Sequence, residues 1–310
     1  MTTELSFSGK RALVTGASGF IGSALARRLA QLGAQVHGVS RQSQPADEYV
    51  TRWWQCPLEQ IDSVRAMLAD VKPDLIFHLA STPVGARALE LVLPLFHSNL
   101  HSTVNLLTAA TEHGCERILL TGSLEEPNVG PDWPVPSSPY AASKFAAATY
   151  GRMFHALFNS PIINMRVFMV YGPGQKDLKK LIPYVTLALL KGEHPQLSSG
   201  VREVDWIYVD DVVEGYLAAA VAPGAEGSTV DIGTGRLHSV RIVAEELFKL
   251  INPNLKPTFG SVAERPMEQV RAANADESFR RIGWRAQVDL REGLSRTVDW
   301  YRDKLERGLV

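Results

Sequence analysis

Tyr140 and Lys144 stand four residues apart in a segment that reads as helix, so they share one face. A free tyrosine, with a pKa of about 10, is a poor acid–base group at neutral pH. An ammonium one turn away favours the phenolate and is expected to bring that pKa toward the working range. Ser123 follows an apolar run seventeen residues before Tyr140. At the carboxyl end of a parallel strand, its hydroxyl can hold a substrate oxygen while Tyr140 exchanges the proton. Further upstream is Thr15-Gly16-Ala17-Ser18-Gly19-Phe20-Ile21-Gly22, between a strand pattern and a helix pattern. Gly16 permits a tight turn, Gly19 lets the backbone approach a pyrophosphate, and Gly22 lets helix and strand pack closely. Free N–H groups at the helix start then meet the anion. The spacing differs by one residue from G-x-G-x-x-G. The next strand ends Gly38-Val39-Ser40-Arg41, with Asp47 and Glu48 arriving only later. A strand end without an acid, carrying Ser40 and Arg41, suits a 2′-phosphate and so NADP better than NAD.

These groups need elements to hold them. Strand patterns at 12–15, 36–39, 53–56, 75–79, 118–121 and 162–167 alternate with helix patterns at 21–32, 61–68, 94–113 and 139–157. Such alternation predicts right-handed crossovers and an α/β fold, a doubly wound parallel sheet with helices on both faces. Beyond residue 172 the pattern loosens. Helices are expected at 178–191, at 210–220 with Asp210 or Asp211 as N-cap, at 240–250 and at 290–305, with short strands at 206–209 and 230–232. The expected organisation is a dinucleotide-binding domain at 1–172 and a smaller C-terminal α/β substrate lobe at 173–310, with some later segments returning to the first.

Composition narrows the classes. The chain has 310 residues, with 32 Lys+Arg against 33 Asp+Glu, a formal charge of −1. That balance gives no field to hold a polyanion, so a nucleic-acid partner is not expected. No apolar run reaches the ~18 residues of a membrane span, and the amino terminus lacks the basic region of a secretory signal. Cys56 and Cys115 lie far apart and match no metal spacing, so no metal site is expected. The expectation is a cytoplasmic enzyme or binding protein.

The motifs together resemble the extended short-chain dehydrogenase/reductases, in the branch of nucleotide-sugar epimerases, dehydratases and 4-ketoreductases. The resemblance rests on residues 15–22, His78-Leu79-Ala80, Ser123, Tyr140-Ala141-Ala142-Ser143-Lys144, Tyr171-Gly172-Pro173-Gly174, Ile207-Tyr208-Val209-Asp210-Asp211, Asp231-Ile232-Gly233-Thr234-Gly235 and Ile282-Gly283-Trp284, which span nearly the whole chain. It implies a Rossmann-type sheet. It implies that Gly16, Ser18, Gly19, Phe20, Ile21 and Gly22 hold the cofactor pyrophosphate, and that Leu79, Ala80 and Ser81 lie along the cofactor. Tyr140 and Lys144 would contact the nicotinamide ribose, with Tyr140 the proton donor or acceptor and Ser123 orienting a sugar carbonyl or hydroxyl. It also implies a homodimer paired through the apolar faces of 91–107 and 145–158.

The resemblance bears on the reaction. Sugar 4,6-dehydratases of this family carry an Asp-Glu pair directly after the hydroxyl residue; here Leu124 replaces the Asp while Glu125 keeps the Glu. Leucine cannot protonate a leaving hydroxyl, so dehydration is disfavoured. The string Gly122-Ser123-Leu124-Glu125-Glu126 looks most like reductases of 4-keto-6-deoxy nucleotide sugars, which use NADPH, in agreement with Ser40 and Arg41. The same string also reads as a plain exposed acidic turn. Where the family has a substrate-contacting Asn this chain has Met169, and where it has an Arg before the Asp-Phe-Ile-Tyr-Val run it has Val204. Arg202, two residues earlier and on the same strand face, is expected to replace that cation, and Arg265 matches the family's other diphosphate arginine. The leading expectation is an NADP-dependent 4-ketoreductase of a nucleotide-diphosphate sugar, with Ser123, Tyr140, Lys144 and Glu125 as catalytic residues. The alternatives are a 4-epimerase keeping a tightly bound NAD, and a non-catalytic cofactor-binding protein of the same fold.

Overall fold

The computed structural model describes residues 5–128, 130, 133–263 and 269–310. Its first half runs β1 (Arg11–Thr15), α1 (Phe20–Gln31), β2 (Gln35–Ser40), β3 (Arg52–Gln55), α2 (Ile61–Val71) and β4 (Leu75–His78). Next come α3 (Val92–Leu95), a π-helical stretch (Phe96–His101), α4 (Ser102–His113), β5 (Arg117–Ser123), α5 (Pro139–Phe158), β6 (Ile162–Val167) and β7 (Met169–Tyr171). The remainder is α6 (Leu181–Leu190), β8 (Glu203–Tyr208), α7 (Val209–Val221), β9 (Thr229–Ile232), β10 (Leu237–Ser239), α8 (Val240–Ile251), α9 (Ala275–Ile282) and α10 (Leu290–Glu306).

Seven strands form one parallel sheet in the order β3-β2-β1-β4-β5-β6-β9. Side chains alternate across it, as the period of two requires. Ala12, Val14, Phe77, Leu119 and Ile163 pack into one apolar cluster with α1 and α7. Leu13, Ile76, Ile118, Leu120 and Ile162 pack into another with α2, α4 and α5. The three-stranded sheet β10-β8-β7 builds a third cluster with α6, α8 and α10. The large sheet thus takes β9 from beyond residue 172, and the small sheet takes β7 from before it.

Local chemistry sets the helix that matters most. Ser138 caps α5 by accepting the Ala141 N–H at 3.1 Å, and Pro139 occupies the first helical position, where its missing N–H leaves no bond unmade. Two expectations need correcting. The helix predicted at 94–113 is interrupted by the π-helical stretch Phe96–His101. Widening the turn there brings Asn99 into the interior, and π-turns within helices recur at functional sites. The cap of α7 is Tyr208 rather than Asp210 or Asp211. The Asp211 carboxylate instead accepts the Gln287 and Val288 N–H groups, both at 2.9 Å, and ties α7 to the segment leading into α10. Among the described residues no helix is long and apolar enough to cross a membrane.

Candidate active site

Because the large sheet is parallel, Thr15, Ser40, His78, Ser123 and Val167 all end their strands at one edge. The β1–α1 turn carries Gly16, Ser18 and Gly19, and α1 opens with Phe20, Ile21 and Gly22. Gly16 has φ +70°, a left-handed backbone, and a Cβ there would meet Ala80 N at 2.9 Å. A Cβ at Gly22 would lie 2.1 Å from the Gly16 carbonyl oxygen. Gly19 heads α1 without any side-chain cap, so the first-turn N–H groups remain for an anion. The segment after β4, with Leu79, Ala80 and Ser81, closes on this turn, and Ser81 Oγ is buried without a hydrogen-bond partner. A cradle bare of side chains at a helix start, with an unused hydroxyl beside it, fits a dinucleotide pyrophosphate. At the end of β2, Ser40 donates its hydroxyl to the Gln42 carbonyl, while Arg41 is exposed.

Ser123 ends β5, and Tyr140 and Lys144 lie on the first turns of α5. All three are brought together: Ser123 hydrogen-bonds the Tyr140 side chain, and Lys144 Nζ lies 6.0 Å from the Tyr140 ring centre. Lys144 Nζ donates to the Thr121 carbonyl at 3.0 Å. Burial pushes the Tyr140 phenol up to about 12, with the Ser123 bond opposing and the Glu126 and Glu125 charges adding to the rise. Burial also pulls Lys144 down to about 8, with the Glu126 charge opposing. The expectation that Lys144 draws Tyr140 toward neutrality is therefore not met in the protein alone. Loss of water is the largest influence on each group, and Lys144 is not among the influences on the phenol. What results is a phenol that keeps its proton, with an ammonium one turn away.

The turn after Ser123 is more structured than an exposed acidic loop. Leu124 is buried in the apolar cluster beside α1 and α7. Glu126 is also buried, and its Oε1 accepts the Ser123 N–H at 2.8 Å. Burial raises its carboxyl above the ordinary range, against the Ser123 bond and the Arg166, Lys144 and Arg152 charges. A Cβ on Gly122 would lie 2.4 Å from that Oε1, so a side chain there would push the carboxylate from this position. The Glu125 N–H donates to Ser123 Oγ at 3.2 Å, and its carboxylate meets Arg202 at 3.3 Å. Glu125 and Arg202, 77 residues apart in the chain, thus form one pair beside the serine. Met169 opens β7 opposite Trp206 and packs between two of the apolar clusters. Arg265 lies outside the described residues.

Three contributors were missed from sequence. Asn99 is buried, and its side chain holds the loop after β4 by accepting the Thr82 N–H at 2.8 Å and donating to Ser143 Oγ at 3.1 Å. Glu126 looked like half of an exposed acidic pair. Lys176, on the loop after β7, donates from Nζ to the Ser18 carbonyl at 2.7 Å and brings a cation onto the glycine turn. Asn99 carried one legible signal: an amide on the apolar face of an amphipathic helix needs a buried partner.

Residues 12–233 match the model of the NAD dependent epimerase/dehydratase family. The UDP-glucose 4-epimerase of Mycolicibacterium smegmatis is 30% identical over 319 residues, covering 95% of this chain and 99% of that one. An epimerase from Methanothermobacter thermautotrophicus superposes with TM-score 0.86 at 26% identity, over 97% of this chain and 94% of that one. The UDP-glucose 4-epimerase of Thermus thermophilus, solved in complex with NAD, superposes with TM-score 0.82 at 26% identity, over 94% of this chain and 99% of that one.

Proposed function

The chain belongs to the NAD dependent epimerase/dehydratase family, within the extended short-chain dehydrogenases/reductases, and on that premise we propose that it reduces a 4-keto-6-deoxy hexose carried on a nucleoside diphosphate. The observation that carries a redox reading is the meeting of Ser123, Tyr140 and Lys144 at the sheet edge that also bears the glycine cradle. The cradle, with Gly16, Ser18, Gly19, Phe20, Ile21 and Gly22, seats the pyrophosphate, and Leu79, Ala80 and Ser81 wall the cofactor. A bound nicotinamide supplies the hydride. Ser123 orients the carbonyl oxygen, Tyr140 gives it a proton from Oη, and the Lys144 ammonium compensates the phenolate that remains.

Dehydration is a poor fit because each neighbour of Ser123 is otherwise engaged. Leu124 is apolar and buried, Glu125 pairs with Arg202, and Glu126 serves the Ser123 N–H. Arg41 supports NADP: it is an exposed cation at the end of β2, where no acid stands. In this reading Glu125 and Met169 meet the sugar, and Arg202, paired with Glu125 in the protein alone, turns to the diphosphate. Leu93, Phe96, Tyr150, Leu157 and Phe158 leave exposed apolar area on the neighbouring helices α3 to α5, which supports a second copy of the chain as partner. Sedimentation of a monomer at micromolar concentration would refute that pairing.

The second reading is a 4-epimerase, favoured by the epimerase named as a 30% identical relative. One experiment separates the two. Incubation with a 4-keto-6-deoxy nucleotide sugar and NADPH should consume cofactor in proportion to substrate. Protein that purifies with stoichiometric NAD, and interconverts UDP-hexoses with no cofactor added, would establish the epimerase instead.

A further inference from the structure

His78, the last residue of β4, is almost fully buried, and both ring nitrogens are engaged. Nδ1 lies 2.7 Å from Thr15 Oγ1, and Nε2 lies 2.8 Å from Thr103 Oγ1. Counting protons fixes the direction of every bond. The Thr103 hydroxyl gives its single proton to the Asn99 carbonyl at 2.6 Å, so it faces the ring as an acceptor and Nε2 carries hydrogen. Thr15 Oγ1 already accepts the Ala80 N–H at 3.1 Å, so its own proton is free for Nδ1. The result is one continuous chain: Ala80 N–H to Thr15, Thr15 to His78, His78 to Thr103, Thr103 to the Asn99 carbonyl.

Both ends of that chain act on the same loop. At one end Thr15 holds Ala80. At the other, the Asn99 side chain accepts the Thr82 N–H at 2.8 Å and donates to the Thr82 carbonyl at 3.3 Å. Asn99 also donates to Ser143 Oγ, which donates to the Tyr140 carbonyl at 2.8 Å. The Asn99 side chain thus joins the loop at 79–82 to the helix that bears Tyr140 and Lys144, and the imidazole ties the Asn99 backbone, through Thr103, to Thr15 and the Ala80 end of the same loop.

We infer that His78 is a positioning residue, held as the neutral Nε2–H tautomer, which sets the 79–82 loop and Asn99 relative to the Tyr140 helix. Burial supports the neutral form: it pulls the ring down to about 3, and the Lys144 charge pushes the same way. An imidazole suits the place because it donates at one end and accepts at the other across a rigid ring. Phenylalanine fills the volume and makes neither bond.

This rests on the reading that the 79–82 loop walls the cofactor, so the test has two arms. In the first, ¹⁵N NMR of histidine-labelled enzyme should show one ring with the Nε2–H pattern and no titration from about pH 6 to about pH 9. With the His78 signal assigned as the one lost in His78→Phe or shifted in Thr103→Val, an Nδ1–H pattern or titration of that ring overturns the tautomer whatever the loop does; the other seven of the chain's 8 histidines do not bear on it. In the second, His78→Phe and Thr103→Val are assayed below their melting temperatures, per folded molecule. Each should weaken binding of the reduced cofactor and lower kcat by about 10- to 100-fold, as misplacement of a reacting group by roughly 1 Å does. The double variant should lose little more than either single one. Wild-type cofactor affinity and kcat in folded His78→Phe would overturn the positioning role. His78→Phe that does not fold shifts the decision to Thr103→Val, where the same two readings apply.

Discussion

Lys144 Nζ lies 6.0 Å from the centre of the Tyr140 ring, one helical turn away, with Lys144 buried and Tyr140 half-buried. The arrangement separates two jobs. Under the proposed function Tyr140 would hold the proton and Lys144 the charge that eases its release.

Tyr140→Phe should therefore remove the proton donor, together with its hydrogen bond to Ser123, and keep the ring. The ring stays in place while turnover falls by about 10²- to 10⁴-fold, the range of general acid catalysis. Affinity for the reduced cofactor, measured by fluorescence titration, should stay within a factor of about 3 (~0.65 kcal/mol). Turnover that survives the substitution rules out Tyr140 as donor.

The pH profile should report Lys144. Its pKa is held down at about 8 by burial, so the ammonium is present below that value and lost above it. In the reducing direction kcat/KM should fall as pH rises through about 8, because the phenolate left on Tyr140 loses its compensating charge. The sign for stability is opposite. The unfolded chain keeps Lys144 charged up to its ordinary 10.5, so it binds more protons between about 8 and 10.5. Folding stability from this group should then rise with pH across that window. A flat kcat/KM profile up to about pH 9 would exclude the role.

Cofactor choice should follow Arg41. A charge-assisted hydrogen bond is worth about 1.5–3 kcal/mol, so Arg41→Ala should cut NADPH affinity by about 10- to 100-fold and leave NADH nearly unchanged. Binding constants for the two cofactors, measured side by side by calorimetry, check this. Equal affinities in the unaltered enzyme would turn the reading toward NAD.

Glu125 and Arg202 should behave as one unit toward the substrate. They meet at 3.3 Å with both side chains largely shielded from water. Arg202→Ala should raise KM for the nucleotide sugar with little change in kcat. Glu125→Gln should alter KM in a way that disappears when Arg202 is already alanine, with coupling of about 0.5–3 kcal/mol. Strictly additive effects would show that the two side chains act on the substrate independently and overturn the pairing.

Much of this site could be read in advance because it rests on local spacing. The four-residue interval from Tyr140 to Lys144, the glycines at 16, 19 and 22, and the alternation of strands with helices are all properties of short stretches. What escaped depends on distant segments meeting. The Glu125–Arg202 pair exists because β8 returns beside the large sheet, and nothing near either residue announces the other. Asn99 sat in an ordinary amphipathic pattern, and only the π-helical stretch turns it toward Thr82. Asp211 had the residue type of a helix cap, yet the backbone of 287–288 competes for it and wins. The ionisation of Tyr140 was misjudged for a related reason. Proximity to Lys144 is visible in one dimension, but the burial that dominates both groups is not.

The seven-stranded sheet also dictates an order of events during synthesis. β6 pairs with β9, from Asn164 opposite Thr229 to Val167 opposite Ile232. Between them the ribosome must deliver β7, α6, β8 and α7. Until β9 emerges, β6 is a bare sheet edge whose backbone carries unanswered donors and acceptors beside Ile162, Ile163 and Met165. Distant parallel pairings of this kind close late and slowly. Any nascent chain that pairs β1 to β6 before β9 emerges is open along β6, and that edge is where chaperone shielding or misassociation between chains would act.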